Sequence, residues 1–142
     1  MITIQKVTQD HFEEAWPFIE ELVKAHEEWT EGEFTVESCF RLMATGKQTI
    51  WAAFDDEEVK IVGVVASMID IDGSGRPFTI NLWTQGEQGM KDAWVAPARD
   101  RIEQEARDAG HYRVVQIGRK GWARTFMRDY RIKAYVYEKV LT

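Results

Sequence analysis

Apolar Ile2 and Ile4 alternate with polar Thr3 and Gln5 at the start of residues 2–7, and this period of two predicts a strand. Asp10 then precedes Glu13 at the spacing of an N-terminal capping box. Phe12, Trp16, Ile19, Leu22, Val23 and His26 return every three or four positions, which predicts a helix over about 11–29. Pro17 lies inside it and removes a backbone donor, so a bend is expected there. The opposite face carries Glu13, Glu14, Glu20, Glu21, Glu27 and Glu28. After Gly32, the spacing of Val36, Cys39, Phe40 and Met43 predicts a second helix over 36–45, ended by Gly46. Thr35 reads as its simple N-cap, because the position three residues on is Ser38 and not an acid or amide.

Three strands are expected next. They are Thr49–Phe54, Ile61–Asp70 with a bulge near Gly63, and Phe78–Thr84, separated by the charged turn 55–60 and the turn cluster 72–75. The run Ile61–Val65 is apolar on both faces, as a central strand is. Gln85–Gly89 reads as a polar loop into a helix over 90–109, which either kinks at Pro97 or starts there, and which closes at Gly110. Beyond it the pattern predicts a strand over 112–117, a turn over 118–121, a short helix over 122–129 and a last strand over 134–140. The order β-α-α-β-β-β-α-β-α-β describes an α/β (α+β) fold, a mixed central sheet flanked by helices. With 142 residues, it reads as one domain spanning 1–142.

Composition narrows the chemistry. The single Cys39 excludes an internal disulfide and a cysteine metal cluster, and reads as small core filler. Without a charged leader or a long apolar run, the expected location is the cytoplasm or the interior of a virion, neither secreted nor in a membrane. Residues 1–58 hold fourteen acids and four bases (−10), whereas 59–142 hold ten acids and fourteen bases (+4), giving the net −6. That polarity suits contact with an anionic ligand, a protein partner or a second copy of the chain, and the overall acidity excludes a dedicated nucleic-acid binder. His11, His26 and His111 are scattered, so no metal site is assigned.

A helix N-terminus offers free amides to a phosphate, and glycines let the backbone come close. The segment Phe78–Gly110 has a strand, a Gly-containing loop and a long helix in that order. Together with the element order, it resembles the Gcn5-related N-acetyltransferase (GNAT) superfamily. The tail 118–124, Asp129-Tyr130 and 135–141 resembles the GNAT-like proteins encoded by tailed bacteriophages, some of which are internal virion components. The resemblance implies acetyl-CoA as cosubstrate, held through Trp83, Thr84, Gln85, Gly86, Gln88, Gly89 and Met90. The family loop has Arg or Gln, two residues, Gly, one residue, then Gly or Ala. Here Gln85 fits the first position, Gln88 stands where the first Gly is required, and Gly89 comes one residue late.

Glu87 brings a carboxylate beside the expected diphosphate, a repulsion on the order of 4 kcal/mol at 4 Å and an effective dielectric near 20, which Lys91 would offset in part. Amine acylation needs a base and a proton donor for the leaving thiolate. In the family a Tyr on the last short helix supplies that proton, but here Phe126 and Met127 stand in its place and Tyr130 is one turn on. Tyr130 is therefore the candidate acid, and Asp70, Asp72 and Glu87 are the candidate bases, each with an alternative reading as a packing or turn residue. Arg124, Arg128 and Arg131, at i, i+4 and i+7, are expected to share one basic helix face, and Trp122 to anchor that helix. Three functions stay open: an acyl-CoA N-acyltransferase with an altered loop, a non-catalytic virion or interaction module on the same fold, and a phage protein that binds a host enzyme.

Overall fold

The computed structural model describes residues 1–87, 89, 91–118, 122 and 124–141, with the backbone alone at Lys91. Five strands form one sheet in sequence order: β1 (Ile2–Val7), β2 (Thr49–Asp55), β3 (Lys60–Ile71), β4 (Pro77–Gly86) and β5 (Val114–Gln116). Neighbours are antiparallel except β4 and β5, which run parallel. Helices α1 (Phe12–Trp29) and α2 (Val36–Ala44) cover one face, and α3 (Lys91–Asp108), the crossover between β4 and β5, covers the other.

Each face has its own core. Phe12, Ile19, Val23, Cys39 and Met43 pack on Ile50, Val64, Ala66 and Trp83. Trp94, Val95, Ala98 and Ile102 of α3 pack on Trp51, Ala53, Val62 and Val65. The apolar run in β3 is therefore explained: it is buried from both sides.

Two bulges change which way the strands face. Between Ala53 and Phe54 of β2 the register skips a residue of β3, so Val62 is extra. The expected bulge beside Gly63 is thus present, and it turns Val62 and Gly63 both toward α3. Between Ala66 and Ser67 of β3 the register skips Leu82 of β4, and Leu82 and Trp83 both turn toward α1.

Several local expectations are corrected. Asp10 does not cap α1; it lies in a 3-10 turn (Gln9–His11), and no side chain caps the helix. Ser38 completes a reciprocal capping box: its amide donates to Thr35 Oγ1 at 3.0 Å and the Thr35 amide donates to Ser38 Oγ at 3.2 Å. A hydroxyl accepts that bond as a carboxylate would, so the requirement for an acid or amide was too strict. Pro17 and Pro97 both lie inside their helices, and α3 begins at Lys91 and not at Pro97. Gln85 and Gly86 belong to β4 and not to the loop.

The end of the chain departs most from the expected order. Among the described residues 122–130 there is no α-helix, only 3-10 and turn geometry. Phe126 packs on the α3 core and Met127 is buried, so this stretch is held by side chains and not by a helical ladder. Residues 131–141 form no strand. The expected last strand is instead an exposed chain, with Val136 and Tyr137 at 92% and 90% accessibility.

Candidate functional site

The parting of β4 and β5 is the feature that makes an opening. Among the described residues they pair at Thr79, Ile80 and Asn81 only, and the Ile117 amide donates to the Asn81 carbonyl at 3.0 Å just beyond. After the Leu82 bulge, β4 stays with β3 as far as Gly86 while β5 has left it. The Glu87 amide donates to the Val62 carbonyl at 2.9 Å. Antiparallel pairing alternates, so Glu87, Gln85 and Trp83 turn their backbone groups to β3, and those of Gly86 and Thr84 face the opening. An unpaired strand edge of this kind lies ready to bind an extended, amide-containing ligand.

The residues expected to hold acyl-CoA therefore divide. Thr84 and Gly86 present backbone to the opening. Trp83 and Gln85 turn their side chains to α1, where Trp83 joins the core and Gln85 meets His26. Gly89 has φ +84 with open space around it, so the turn into α3 itself requires glycine there. Gln88 and Met90 lie outside the described residues.

Gly86 has a packing role that the loop pattern did not reveal. A Cβ at Gly86 would come within 2.7 Å of the Trp94 indole, and one at Gly63 within 2.2 Å. These two glycines are cross-strand partners, and together they form a bare floor on which the fully buried Trp94 ring lies. The ring leans back from the first turn of α3, as long helical side chains do, and fixes that helix end against the hairpin.

Glu87 is less of an obstacle than its position in the sequence implies. Its carboxylate pairs with Lys60 Nζ at 3.1 Å, which holds the Lys60 ammonium above the ordinary lysine range. A cation from the start of β3 thus stands beside the carboxylate at the loop, a partner far away in sequence.

The candidate acid and bases are not gathered at one place. Asp70 pairs with Phe78 at the start of β4, and Glu87 follows its end, so roughly 30 Å of strand separates them at about 3.3 Å per residue. Asp72 organises the β3–β4 turn. It accepts from the Ser74 hydroxyl at 2.7 Å, the Tyr112 hydroxyl at 2.7 Å and the amides of Ser74 and Arg76, and these bonds hold its carboxyl far below the usual range. The Tyr130 hydroxyl donates to Glu103 Oε2 of α3 at 2.9 Å, and burial with that bond raises it above the ordinary tyrosine range. In this arrangement Tyr130 fastens the tail to α3, beside the Arg99 guanidinium that donates to the Phe126 carbonyl.

Arg124 and Arg128 are exposed and linked by a bond from Arg128 Nε to the Arg124 carbonyl at 3.1 Å, but without a helix the three arginines do not form the expected stripe. Trp122 packs edge-on to Phe126 and against Gly118. Cys39 is buried, which pushes its thiol up to about 12 and leaves it inert as a nucleophile at neutral pH. Among the described residues no group of three or more His, Cys, Asp or Glu side chains is placed to hold a metal ion. No helix among them is long and apolar enough to cross a membrane.

His26 gained most from the three-dimensional arrangement. It stacks on Trp83 with ring centroids 4.4 Å apart, near Phe34 and Trp29, and its Nδ1 lies 3.3 Å from Gln85 Oε1. Burial holds its pKa below the ordinary value of 6.5. The folded state thus prefers the neutral ring more than the unfolded chain does. The unfolded chain takes up its proton first, so stability is full above pH 6.5 and declines as pH falls through that value toward the lower folded pKa. Urea unfolding from pH 7.5 down to 5.5 should record the decline, and His26→Phe should flatten it.

No family model matches this chain, and no curated protein does. Solved structures do match, across nearly all its length. A probable acetyltransferase superposes with a TM-score of 0.73 at 17% identity, covering 99% of this chain and 97% of that one. The glucosamine-6-phosphate N-acetyltransferase of Arabidopsis thaliana gives 0.71 at 12%, covering 100% and 99%. The ribosomal-protein-alanine N-acetyltransferase of Brucella melitensis biovar Abortus 2308 gives 0.69 at 13%, again covering 100% and 99%. All three are described as acetyltransferases, and this chain shares their architecture. The chain has the fold of the Gcn5-related N-acetyltransferases.

Proposed function

We propose that this chain is an acyl-CoA-dependent N-acyltransferase. The observation that carries the reading is the unpaired β4 edge, with Thr84 and Gly86 facing the β4–β5 opening and leading directly into the start of α3. An acyl-CoA would lie with its diphosphate at the helix end, where backbone amides and the helix dipole favour anions. Its amide-bearing arm would run along the edge from Gly86 to Thr84. The thioester would then reach the apex at Leu82 and Asn81. Bound there, it supplies an activated acyl group; the chain's own part is to align it and to admit an amine. Lys60 tempers the charge of Glu87 at the diphosphate end.

Titration calorimetry with acetyl-CoA tests this reading. Binding heat at micromolar to millimolar ligand is expected, and its absence at millimolar ligand would overturn the assignment.

A second reading, a non-catalytic interaction protein on the same fold, is favoured by two observations: Tyr130 is bonded to Glu103, and Ile132, Tyr135, Val136, Tyr137, Val140 and Leu141 of the tail are exposed as if for a partner. Under either reading the resemblance of the tail to phage-encoded proteins supports the bacterial cytoplasm or a virion as the location.

A further inference from the structure

The apex of the opening carries a buried acceptor with no donor among the described residues. Asn81 is 2% exposed, and among those residues its Oδ1 has no hydrogen-bond partner. The orientation of that amide is set by a relay. Gln116 Nε2 donates to the Ile117 carbonyl at 2.9 Å, which leaves Gln116 Oε1 as an acceptor. Asn81 Nδ2 donates to that oxygen at 3.0 Å, so Asn81 Oδ1 is turned away from Gln116. Exchanging O and N in Asn81 would set two oxygens against each other, and exchanging them in Gln116 would do the same at Ile117. Leaving a buried carbonyl unpaired forfeits its bond to water with no replacement, so such a group calls for an explanation.

Its position supplies one. Asn81 is the last β4 residue paired with β5 and the last before the Leu82 bulge, where the two strands part. We propose that Asn81 positions the attacking nitrogen, its Oδ1 accepting one N–H of the acceptor amine while the nitrogen lone pair faces the thioester carbonyl. This rests on the acyltransferase reading above. In the step, the nitrogen bonds to the carbonyl carbon, the carbon–sulfur bond breaks, and the proton lost by nitrogen ends on the sulfur of CoA. The hydrogen given to Asn81 must be one the nitrogen keeps. A primary amine has two, one to lose and one to hold. A secondary amine has only the one it must lose. Asn81 therefore discriminates between them, and Gln116 acts through it as a positioning residue.

The test compares butylamine with N-methylbutylamine as acceptors, following CoA release with acetyl-CoA saturating, alongside acetyl-CoA calorimetry on each variant. Wild type should favour butylamine at least tenfold in kcat/KM. Asn81→Ala should bring that ratio to within about twofold, mainly through kcat, while acetyl-CoA binding stays measurable, which also verifies folding. Gln116→Leu, which frees the Asn81 amide to rotate, should give an intermediate ratio. Acetyl-CoA binding with a ratio that neither substitution moves, or with no turnover of butylamine by wild type, overturns the role of Asn81 alone. No acetyl-CoA heat in wild type overturns the functional reading and this role with it.

Discussion

Gly63→Ala is expected to destabilise the domain by about 3 kcal/mol, at the upper end of what an extra methyl costs in a packed core. The added carbon would stand 2.2 Å from the Trp94 indole, closer than any real contact, and the indole is 1% exposed with nowhere to move. Trp94→Ala alone should cost about 3–5 kcal/mol through the cavity it leaves. The double variant separates clash from general disruption. With the ring gone, the three atoms nearest to the alanine methyl at 63 are gone too, so the combined loss should be clearly smaller than the sum. Urea unfolding of the two single variants and the double would measure this. Strict additivity would mean that the glycine pair and the indole are not a unit. Gly86→Ala should behave in the same way with a smaller loss, since its clash begins at 2.7 Å.

The second large effect concerns the helix end. Glu87→Gln should tighten acetyl-CoA binding about tenfold at low ionic strength, or ~1.4 kcal/mol. The substitution removes a carboxylate beside the diphosphate and releases the Lys60 ammonium, 3.1 Å from Glu87, to face the ligand. Full Coulomb repulsion would give more, but both side chains are over a third exposed and water screens them. The gain should shrink as salt is raised toward 0.5 M, because the Debye length falls to a few ångströms. Lys60→Met should act oppositely and weaken binding. Stability should hardly change in either variant, as exposed ion pairs contribute little to folding. Equal affinity for Glu87→Gln and wild type at low salt would mean that the diphosphate does not approach this carboxylate.

Periodicity made most of the architecture legible. The strand at 2–7, the helices of residues 12–29 and 36–44 and the apolar β3 could be read because each has a repeat of two or of three to four against a buried face. The bulge beside Gly63 was legible for the same reason, since a glycine inside an apolar strand has to serve some close approach. What the close approach was to could not be read. Trp94 is thirty-one positions further on, and nothing local links an indole in one helix to glycines on two strands. The reciprocal cap at Ser38 was missed because the motif was taken as a residue pattern and not as a hydroxyl geometry.

The C-terminal stretch misled for a different reason. Trp122, Phe126 and Tyr130 have helical spacing, but Phe126 and Tyr130 are anchored on α3 side chains and Trp122 on Phe126, not on a helical ladder of their own. Of the candidate site, the region was legible and the atoms were not. Which backbone groups of β4 face outward depends on the extra residue at Leu82, and a bulge shifts that count by one without any mark in the sequence. Asn81 carried no signal at all: one asparagine in a strand looks like any other until Gln116 is found beside it.

The parted strands also bear on how the molecule behaves among copies of itself. An unsatisfied strand edge invites any other extended chain, and a long, flat, apolar one would template fibres. This edge is short, it kinks at Leu82, and it ends at the Lys60–Glu87 charges. A neighbouring backbone seeking to add itself as a sixth strand would soon run into a bend and a pair of ions. A slender ligand arm would not be hindered in the same way, so the same edge can admit a small molecule while turning away another copy of the chain.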